Sequence, residues 1–475
     1  MQGGHAVIFS SYRFLFLYLP VTLLGFHLLR RTGRAVWVKL WLTAASLAFY
    51  GIGQPDFFFG FILLVVSNYY LGEGIARSKR KWVRVLLLSL TIVWDLGLLF
   101  WFKYLNFFLE CLNLLLYTSF SLYTLLLPLG ISFFTFQMLA YVIDVYKDGK
   151  PAATLLDYAI FVTFFPQLIV GPVVKREELL PQTEGECLLR FETDNIYRGI
   201  LLFSVGCAKK ILLADPLIAF ASGFYGGDVG QASLAAAWAG VLAYAFAYYF
   251  DFSGYIDMAR GIGFLFGVEL PVNFDSPYKA RNFADFWRRW NMTISRFFSE
   301  SVFGSIFHFG DGILKLIFAT LATFLVSGLW HGADWHYLVW GAVNGLLVCC
   351  ANIMTLYRKS LPKPLAVSLT FFFSVLVRVL FDCNGMIQAV QVYRRLFTPE
   401  PWNVFLSGLG TLITADWYVL MLLAAGAAIC FCCKNSNEIA KRTSFGRRDA
   451  ILAAVLLMVS VFNMSQVSGF LYFNF

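Results

Sequence analysis

In Ile313-Leu-Lys-Leu-Ile-Phe-Ala-Thr-Leu-Ala-Thr-Phe-Leu-Val-Ser-Gly-Leu-Trp-His-Gly332, a single charged side chain, Lys315, interrupts a nearly uniform apolar run that lasts to Trp330. A helix needs about 20 such residues to cross the hydrocarbon of a bilayer, so the run reads as a membrane span. His331 and Gly332 mark where it ends or bends. The same character extends across the chain. Of 475 residues, 59% are hydrophobic and 14% charged, with 51 Phe and 13 Trp. Soluble domains are nearer ~45–50% apolar and ~25% charged. No region is polar enough to form a separate water-soluble domain. The expected architecture is an all-α polytopic integral membrane protein, a single domain over 1–475 with roughly 10–13 membrane segments and interfacial helices.

Candidate spans begin with Tyr12–Leu29, Val36–Gly51, Phe57–Leu71 and Val85–Trp101. Asn106–Val145 holds one or two more, broken near Pro128 and Gly130. Ile160–Val174, Tyr197–Phe220, Leu234–Phe250 and the shorter Ile256–Gly267 follow. Ile313–Trp330, Tyr337–Met354, Leu365–Phe381, Tyr418–Cys433 and Ile451–Phe462 complete the set. No internal repeat of the kind that marks many transporters is visible.

Lys and Arg number 37 against 28 Asp and Glu, a net charge of +9. A nucleic-acid binder would gather that excess on one face. Here the cations fall in short clusters between apolar runs: Arg30 to Lys39, Arg77 to Arg84, Lys279 to Arg289, Arg358 to Lys363 and Lys441 to Arg448. Such spacing marks cytoplasmic loops and places both termini outside. Residues 468–475 are then an external aromatic tail. The first 30 residues have no basic region before the apolar run and no small-residue cleavage site, so no removed signal peptide is expected. Most of the nine Cys lie in apolar segments as small hydrophobes. Cys430 to Cys433 is spaced C-x-x-C, but no second Cys pair or His accompanies it, and no metal is expected.

Ionisable groups inside apolar runs are costly and are functional candidates by default. In Tyr249-Phe-Asp-Phe-Ser-Gly-Tyr-Ile-Asp-Met-Ala-Arg260, Asp257 and Arg260 stand close to one helical turn apart and can pair. Asp251 can cap backbone amides near Gly254, or the carboxylates can shape a tunnel. Within 276–298 the aromatics Phe283, Phe286, Trp287, Trp290, Ile294 and Phe297 recur at helical spacing, which predicts one interfacial amphipathic helix opened by Ser276 and Pro277. Arg288 and Arg289 either anchor it or hold the phosphates of a donor arriving from the cytoplasm. Ser327-Gly-Leu-Trp-His-Gly-Ala-Asp-Trp-His-Tyr-Leu-Val-Trp-Gly341 holds two of the chain's five His. The separation of His331 and His336 turns their rings about 140° apart on a helix, a poor joint metal site. His331 beside Trp330 is either a satisfied core residue or a catalytic base.

At these residues the chain resembles the membrane-bound O-acyltransferase family, in particular its alginate O-acetyltransferase membrane-subunit-like branch. The likeness runs nearly end to end. It takes in Phe9-Ser-Ser-Tyr-Arg-Phe-Leu-Phe16, Leu127-Pro-Leu-Gly-Ile-Ser-Phe-Phe-Thr-Phe136, Tyr141-Val-Ile-Asp-Val-Tyr146 and Phe165-Pro-Gln-Leu-Ile-Val-Gly-Pro172. It continues through Asp251-Phe-Ser-Gly254, Phe274-Asp-Ser-Pro-Tyr278, Asp285-Phe-Trp-Arg-Arg-Trp290 and Trp330-His-Gly332. The resemblance implies transfer of an acyl group, acetyl by preference, from a cytoplasmic thioester (acetyl-CoA or an acyl-carrier protein) to a hydroxyl across the membrane. It also implies a polysaccharide acceptor, a secreted or periplasmic acyltransferase partner, and residence in a bacterial cytoplasmic membrane as a multi-pass protein. The family's essential His matches His331, and neutral imidazole, with an ordinary pKa of ~6.5, can take the hydroxyl proton at physiological pH.

Three departures from the branch pattern stand out. Asn291 occupies the place of a second His after Arg-Arg-Trp, and Asn344 that of another His further along. Phe298-Ser-Glu-Ser-Val302 replaces an Arg-Asp-Tyr-Leu-Tyr-type stretch. Asn can orient a donor but exchanges no proton, so His331 is left as the sole base, with Arg288, Arg289, Trp290, Asn291, Asp251, Asp257, Trp330, His336 and Asn344 as tunnel-lining or donor-binding candidates. The ending Phe470-Leu-Tyr-Phe-Asn-Phe475 resembles the branch's tail. It is either an aromatic belt at the membrane surface or carries Tyr472 as an acyl relay. Phenol (pKa ~10) is close enough to a thiol (~8.5) that an aryl ester keeps much of a thioester's transfer potential. The alternatives are D-alanyl transfer to teichoic acid and, from another class, a non-catalytic lipid or polysaccharide transporter.

Overall fold

Apolar runs with few charges become helices here because a backbone in hydrocarbon must satisfy its own N–H and C=O groups. In the computed structural model, which describes residues 9–190, 192–442, 445–464 and Leu471, every regular element is helical. Among the described residues, six helices are long and apolar enough to cross a membrane: Ala35–Gly53, Pro55–Arg77, Lys81–Leu116, Ile313–His331, Trp335–Leu356 and Lys363–Asp382. Trp402–Thr414 and Trp417–Cys432, bent by 84° at their junction, make a seventh if they form one broken span. The protein is thus a multi-pass membrane protein. By this measure of length and composition, the described residues hold fewer spans than the composition suggested, because apolar sequence also builds short helices and buried irregular backbone.

Ile160–Val174 is the clearest case. Instead of a span it forms the end of Leu155–Thr163, a single turn at Phe165–Leu168, and coil. Pro166 starts that turn, and a Cβ at Gly171 would collide with the backbone of Gln167, so the chain doubles back where only glycine fits. The buried carbonyl left without a helical partner is used twice: Gln137 and Gln167 each donate from Nε2 to Phe161 O at 2.6 Å. Conversely, Leu234–Phe250 and Ile256–Gly267 are one continuous helix, Leu234–Leu265 (α1). Gly254 does not break it; the glycine lets the Gly206 carbonyl approach. The helix Met386–Phe397, which sequence reading passed over, is amphipathic rather than apolar, with Ala389, Val392 and Leu396 buried.

Backbone contacts divide the chain into two compact units. The first comprises Met1–Val205, Tyr255–Pro271 and Ser444–Met464. Its interior is aromatic: Phe9 stacks on Tyr255 at 4.8 Å, and Phe14, Phe49 and Phe165 pack around them. Some of its buried polar groups are paired. Lys39, read as part of a cytoplasmic cluster, is instead buried against Asp157, and Asn68 Nδ2 donates to Asp95 Oδ1 at 2.8 Å. Asp257 lies in this unit, where its carboxylate acts on Arg260, whose Nε donates to Leu270 O at 3.1 Å.

The second unit comprises Gly206–Gly254, Val272–Thr443 and Ser465–Phe475. The single helix expected over 276–298 is a 3₁₀ turn at Pro277–Lys279, then Phe283–Trp287 (α2) and Met292–Phe298 (α3). Asn291, at φ +43°, takes the left-handed conformation that ends one helix before the next begins. Ile313–His331 (α4), Trp335–Leu356 (α5) and Lys363–Asp382 (α6) follow. α5 ends in a Schellman turn: Lys359 N–H donates to Met354 O at 2.9 Å and Arg358 N–H to Thr355 O at 3.0 Å. Arg358 sits at φ +52°, where glycine is usual and a side chain costs roughly 1–2 kcal/mol.

Candidate active site

Glycines bring α4 and α5 together. A Cβ on Gly328 would fall within van der Waals distance of the Tyr337 carbonyl, and one on Gly341 within that of Phe324. Gly341 and Gly345 have the small-xxx-small spacing that lets membrane helices approach closely. At the end of this seam α4 stops: its last residue is His331, Gly332 turns extended, and Asp334 caps α5 by accepting from His336 N–H at 3.3 Å. A Cβ at Gly332 would overlap the Tyr337 ring, so a larger residue at the turn would have to displace that ring.

The His331 imidazole is held by rings. It lies 5.0 Å from Trp340 and 4.9 Å from Phe381, both edge-to-face, and 4.4 Å from Trp330. Such T-shaped contacts hold an aromatic plane in place. His331, Trp340 and Phe381 line a cavity of about 310 Å³ inside the second unit. Arg288, Trp290, Asn291 and Asn344, all singled out in the sequence, line it as well, together with Trp287, Ser327 and Arg378.

The two Asn are fixed by different means. Asn344 accepts from Trp287 Nε1 at 3.3 Å and donates from Nδ2 to Trp340 O at 2.9 Å. Asn291 Oδ1 accepts from Asn273 Nδ2 at 3.0 Å. Asn273 Oδ1 in turn accepts from the backbone N–H and hydroxyl of Thr293, each at 3.0 Å, while its backbone carbonyl accepts from Met292 N–H. Asn273 is therefore the buried clamp of the left-handed turn, a role no local pattern advertises. Trp290 stacks on Tyr248 and Phe286 in the cavity wall.

The adjacent arginines part company. Arg288 is exposed at the cavity, whereas Arg289 Nε donates to Asp285 at 2.9 Å and Nη1 to Asp275 O at 3.3 Å, clipping the segment together. His336 does not line the cavity. It is buried against the Tyr337 ring at 4.0 Å, with Nδ1 3.0 Å from Asp334 Oδ1 but without hydrogen-bond geometry. Trp330 packs on Phe298 and His331. Asp251 sits in a buried ion cluster: Lys210 Nζ is 2.7 Å from both Asp215 and Asp251. Asp251 Oδ2 also accepts the Leu471 N–H at 2.9 Å, so its partners are not the amides near Gly254. Tyr472 lies outside the described residues. Among those residues, no three His, Cys, Asp or Glu side chains converge as metal ligands would.

Arg378 was passed over in the sequence, although a lone cation in the apolar run Leu365–Phe381, four residues before Asp382, is the signal that would have found it. Its guanidinium lies 3.5 Å over the Tyr248 ring and its Nη2 donates to Asp382 Oδ1 at 2.8 Å. Asp382 is almost fully buried. Removing one partner of such a pair leaves the other charge stranded, at a cost of about 3–5 kcal/mol. Arg378→Met is accordingly expected to lower the thermal midpoint sharply, and the double variant Arg378→Met/Asp382→Leu to recover most of the loss. An equal loss in both would refute the pairing.

Comparison with known proteins follows the same residues. The profile of the membrane-bound O-acyltransferase family matches residues 152–369, which include His331, Asn291 and Asn344. The chain is 34% identical to a peptidoglycan O-acetyltransferase of Helicobacter pylori, over 99% of this chain and 98% of the relative. It is 34% identical to a Pseudomonas aeruginosa protein named probable alginate O-acetylase, over 86% of this chain and 80% of the relative. A teichoic acid D-alanyltransferase of Bacillus subtilis is 28% identical over 52% of this chain and 66% of its own. Likeness of that extent, with a histidine-lined cavity in the matched region, makes this chain a member of the membrane-bound O-acyltransferase family.

Proposed function

We propose that the chain is an O-acetyltransferase that takes an acetyl group from a cytoplasmic thioester and passes it towards the hydroxyls of an envelope or secreted polysaccharide. The observation that carries this reading is the position of His331. It lines a cavity together with fixed Asn side chains and an exposed Arg, in a chain similar end to end to a peptidoglycan O-acetyltransferase. His331 accepts the proton of the attacking hydroxyl as its oxygen bonds the carbonyl carbon. The carbon–sulfur bond then breaks, and the proton passes to the departing thiolate, so that thioester and alcohol become ester and thiol. Asn344 and Asn291 orient the donor without exchanging protons. Arg288 offers its charge to donor phosphates. The membrane is the bacterial cytoplasmic one, and a secreted or periplasmic partner completes transfer to the glycan.

The test is made in proteoliposomes that enclose a polysaccharide acceptor and the periplasmic partner, supplied on the outside with acetyl-labelled acetyl-CoA or with D-alanyl carrier protein. Label from acetyl-CoA in an alkali-labile ester is the expected result. Label from the D-alanyl carrier alone would overturn the acetyl reading in favour of teichoic acid chemistry.

One observation favours a relay through the tail. The Leu471 N–H bound by Asp251 ties down the backbone one residue before Tyr472. On this reading the acyl group rests on the Tyr472 phenol before reaching the partner. Tyr472→Phe is then expected to abolish label on the C-terminal peptide and product formation together, as read by mass spectrometry after acid quench. Full product formation by that variant would sink the relay and leave direct transfer.

A further inference from the structure

A second cavity of the same unit, about 490 Å³, opens between the end of α5 and the start of α6. Arg281, Arg358, Lys359 and Lys363 line it, all exposed, and no Asp or Glu does. Among the described residues none of the four is ion-paired. The nearby Asp285 is engaged, accepting the Arg281 N–H and the Arg289 Nε. Away from the cations the walls are mainly apolar, with Asn282, Thr355, Ser360 and Thr370 among them. Met354, Leu369 and Phe373 line them and are themselves exposed on helices long and apolar enough to lie in lipid. Arg358 adds a separate sign. It closes α5 from a left-handed backbone position that suits glycine and still lines the groove with its side chain.

We propose that this groove binds an anionic phospholipid of the surrounding bilayer. The phosphate sits among Arg281, Arg358 and Lys363, and an acyl chain runs along Met354, Leu369 and Phe373. The chemistry is complementary at both ends: four unneutralised cations need an anion, and the exposed aliphatic wall beside them needs a chain. A soluble phosphate would satisfy the first and leave the second bare. Basic pockets between membrane helices bind anionic headgroups by this combination. Phe283 lines both this groove and the cavity that holds His331, so the lipid would buttress the wall between them. The proposal does not depend on the acyl-transfer reading, and its readout is binding rather than activity.

The experiment uses the full chain in detergent, with phosphatidylglycerol and phosphatidylcholine of matched chains titrated and followed by native mass spectrometry. Phosphatidylglycerol is expected to be retained in preference to phosphatidylcholine. Arg358→Gly, which relieves the backbone and so should fold at least as well, is expected to weaken phosphatidylglycerol about fivefold. Arg281→Gln/Lys363→Gln is expected to weaken it further while leaving phosphatidylcholine unchanged. Equal retention of the two lipids, or full preference in Arg358→Gly, would overturn the proposal. Displacement of phosphatidylglycerol by equimolar coenzyme A would overturn it too, by assigning the cations to a soluble donor's phosphates.

Discussion

Gly341→Ala is expected to destabilise the chain by more than about 2 kcal/mol, although alanine ordinarily improves a helix. The new Cβ would meet the backbone carbonyl oxygen of Phe324, and a backbone atom in a helix cannot rotate aside as a side chain can. The only relief is for α4 and α5 to separate. That would forfeit the close packing which holds membrane helices together where no hydrophobic force distinguishes protein from lipid. It would also carry His331, on α4, away from Trp340 and Asn344, on α5, so acyl transfer should fall with the thermal midpoint. Gly410→Ala serves as the control, since a Cβ there meets nothing within 4 Å. If the two variants melted alike in detergent, the glycine seam would not be what positions the site.

His331→Gln is expected to lower acetyl transfer by ~10²–10⁴-fold, the range a positioned general acid–base group contributes. Gln can hydrogen-bond in the same place but cannot take and return a proton. No neighbour can substitute. Asn344 and Asn291 are amides already engaged by Trp287, Trp340 and Asn273, and His336 lies outside the cavity. The variant keeps most of the side chain's bulk among Trp330, Trp340 and Phe381, so folding should change much less than turnover.

Much of the candidate site's lining was legible because its signals are local. A histidine that ends an apolar run, an Arg-Arg-Trp segment rich in aromatics, and Asn at two informative places needed no distant partner, and the cavity brings His331, Arg288, Trp290, Asn291 and Asn344 together. Long-range pairing was not legible. Asp251 was matched with its chain neighbours, whereas its cation, Lys210, lies on a different helical segment. Asn273 shapes the turn at Asn291 from outside the motif. The expected helix over 276–298 failed for a related reason. Helical periodicity in the aromatics persists across Asn291, but the left-handed backbone there, held by buried hydrogen bonds, outweighs it. At the level of the fold, the all-helical membrane class follows from composition. The number of spans does not, because buried irregular backbone such as 169–174 is as apolar as a helix in lipid.

The most direct test of the central claim compares wild type with His331→Gln in proteoliposomes, measuring donor affinity and alkali-labile acetyl transfer on the same preparations. The account predicts that affinity for acetyl-CoA changes little while transfer falls to background, since the imidazole acts on the proton and not on the donor's phosphates. Transfer by His331→Gln within about threefold of wild type, far inside the range assigned to a general base, would contradict it.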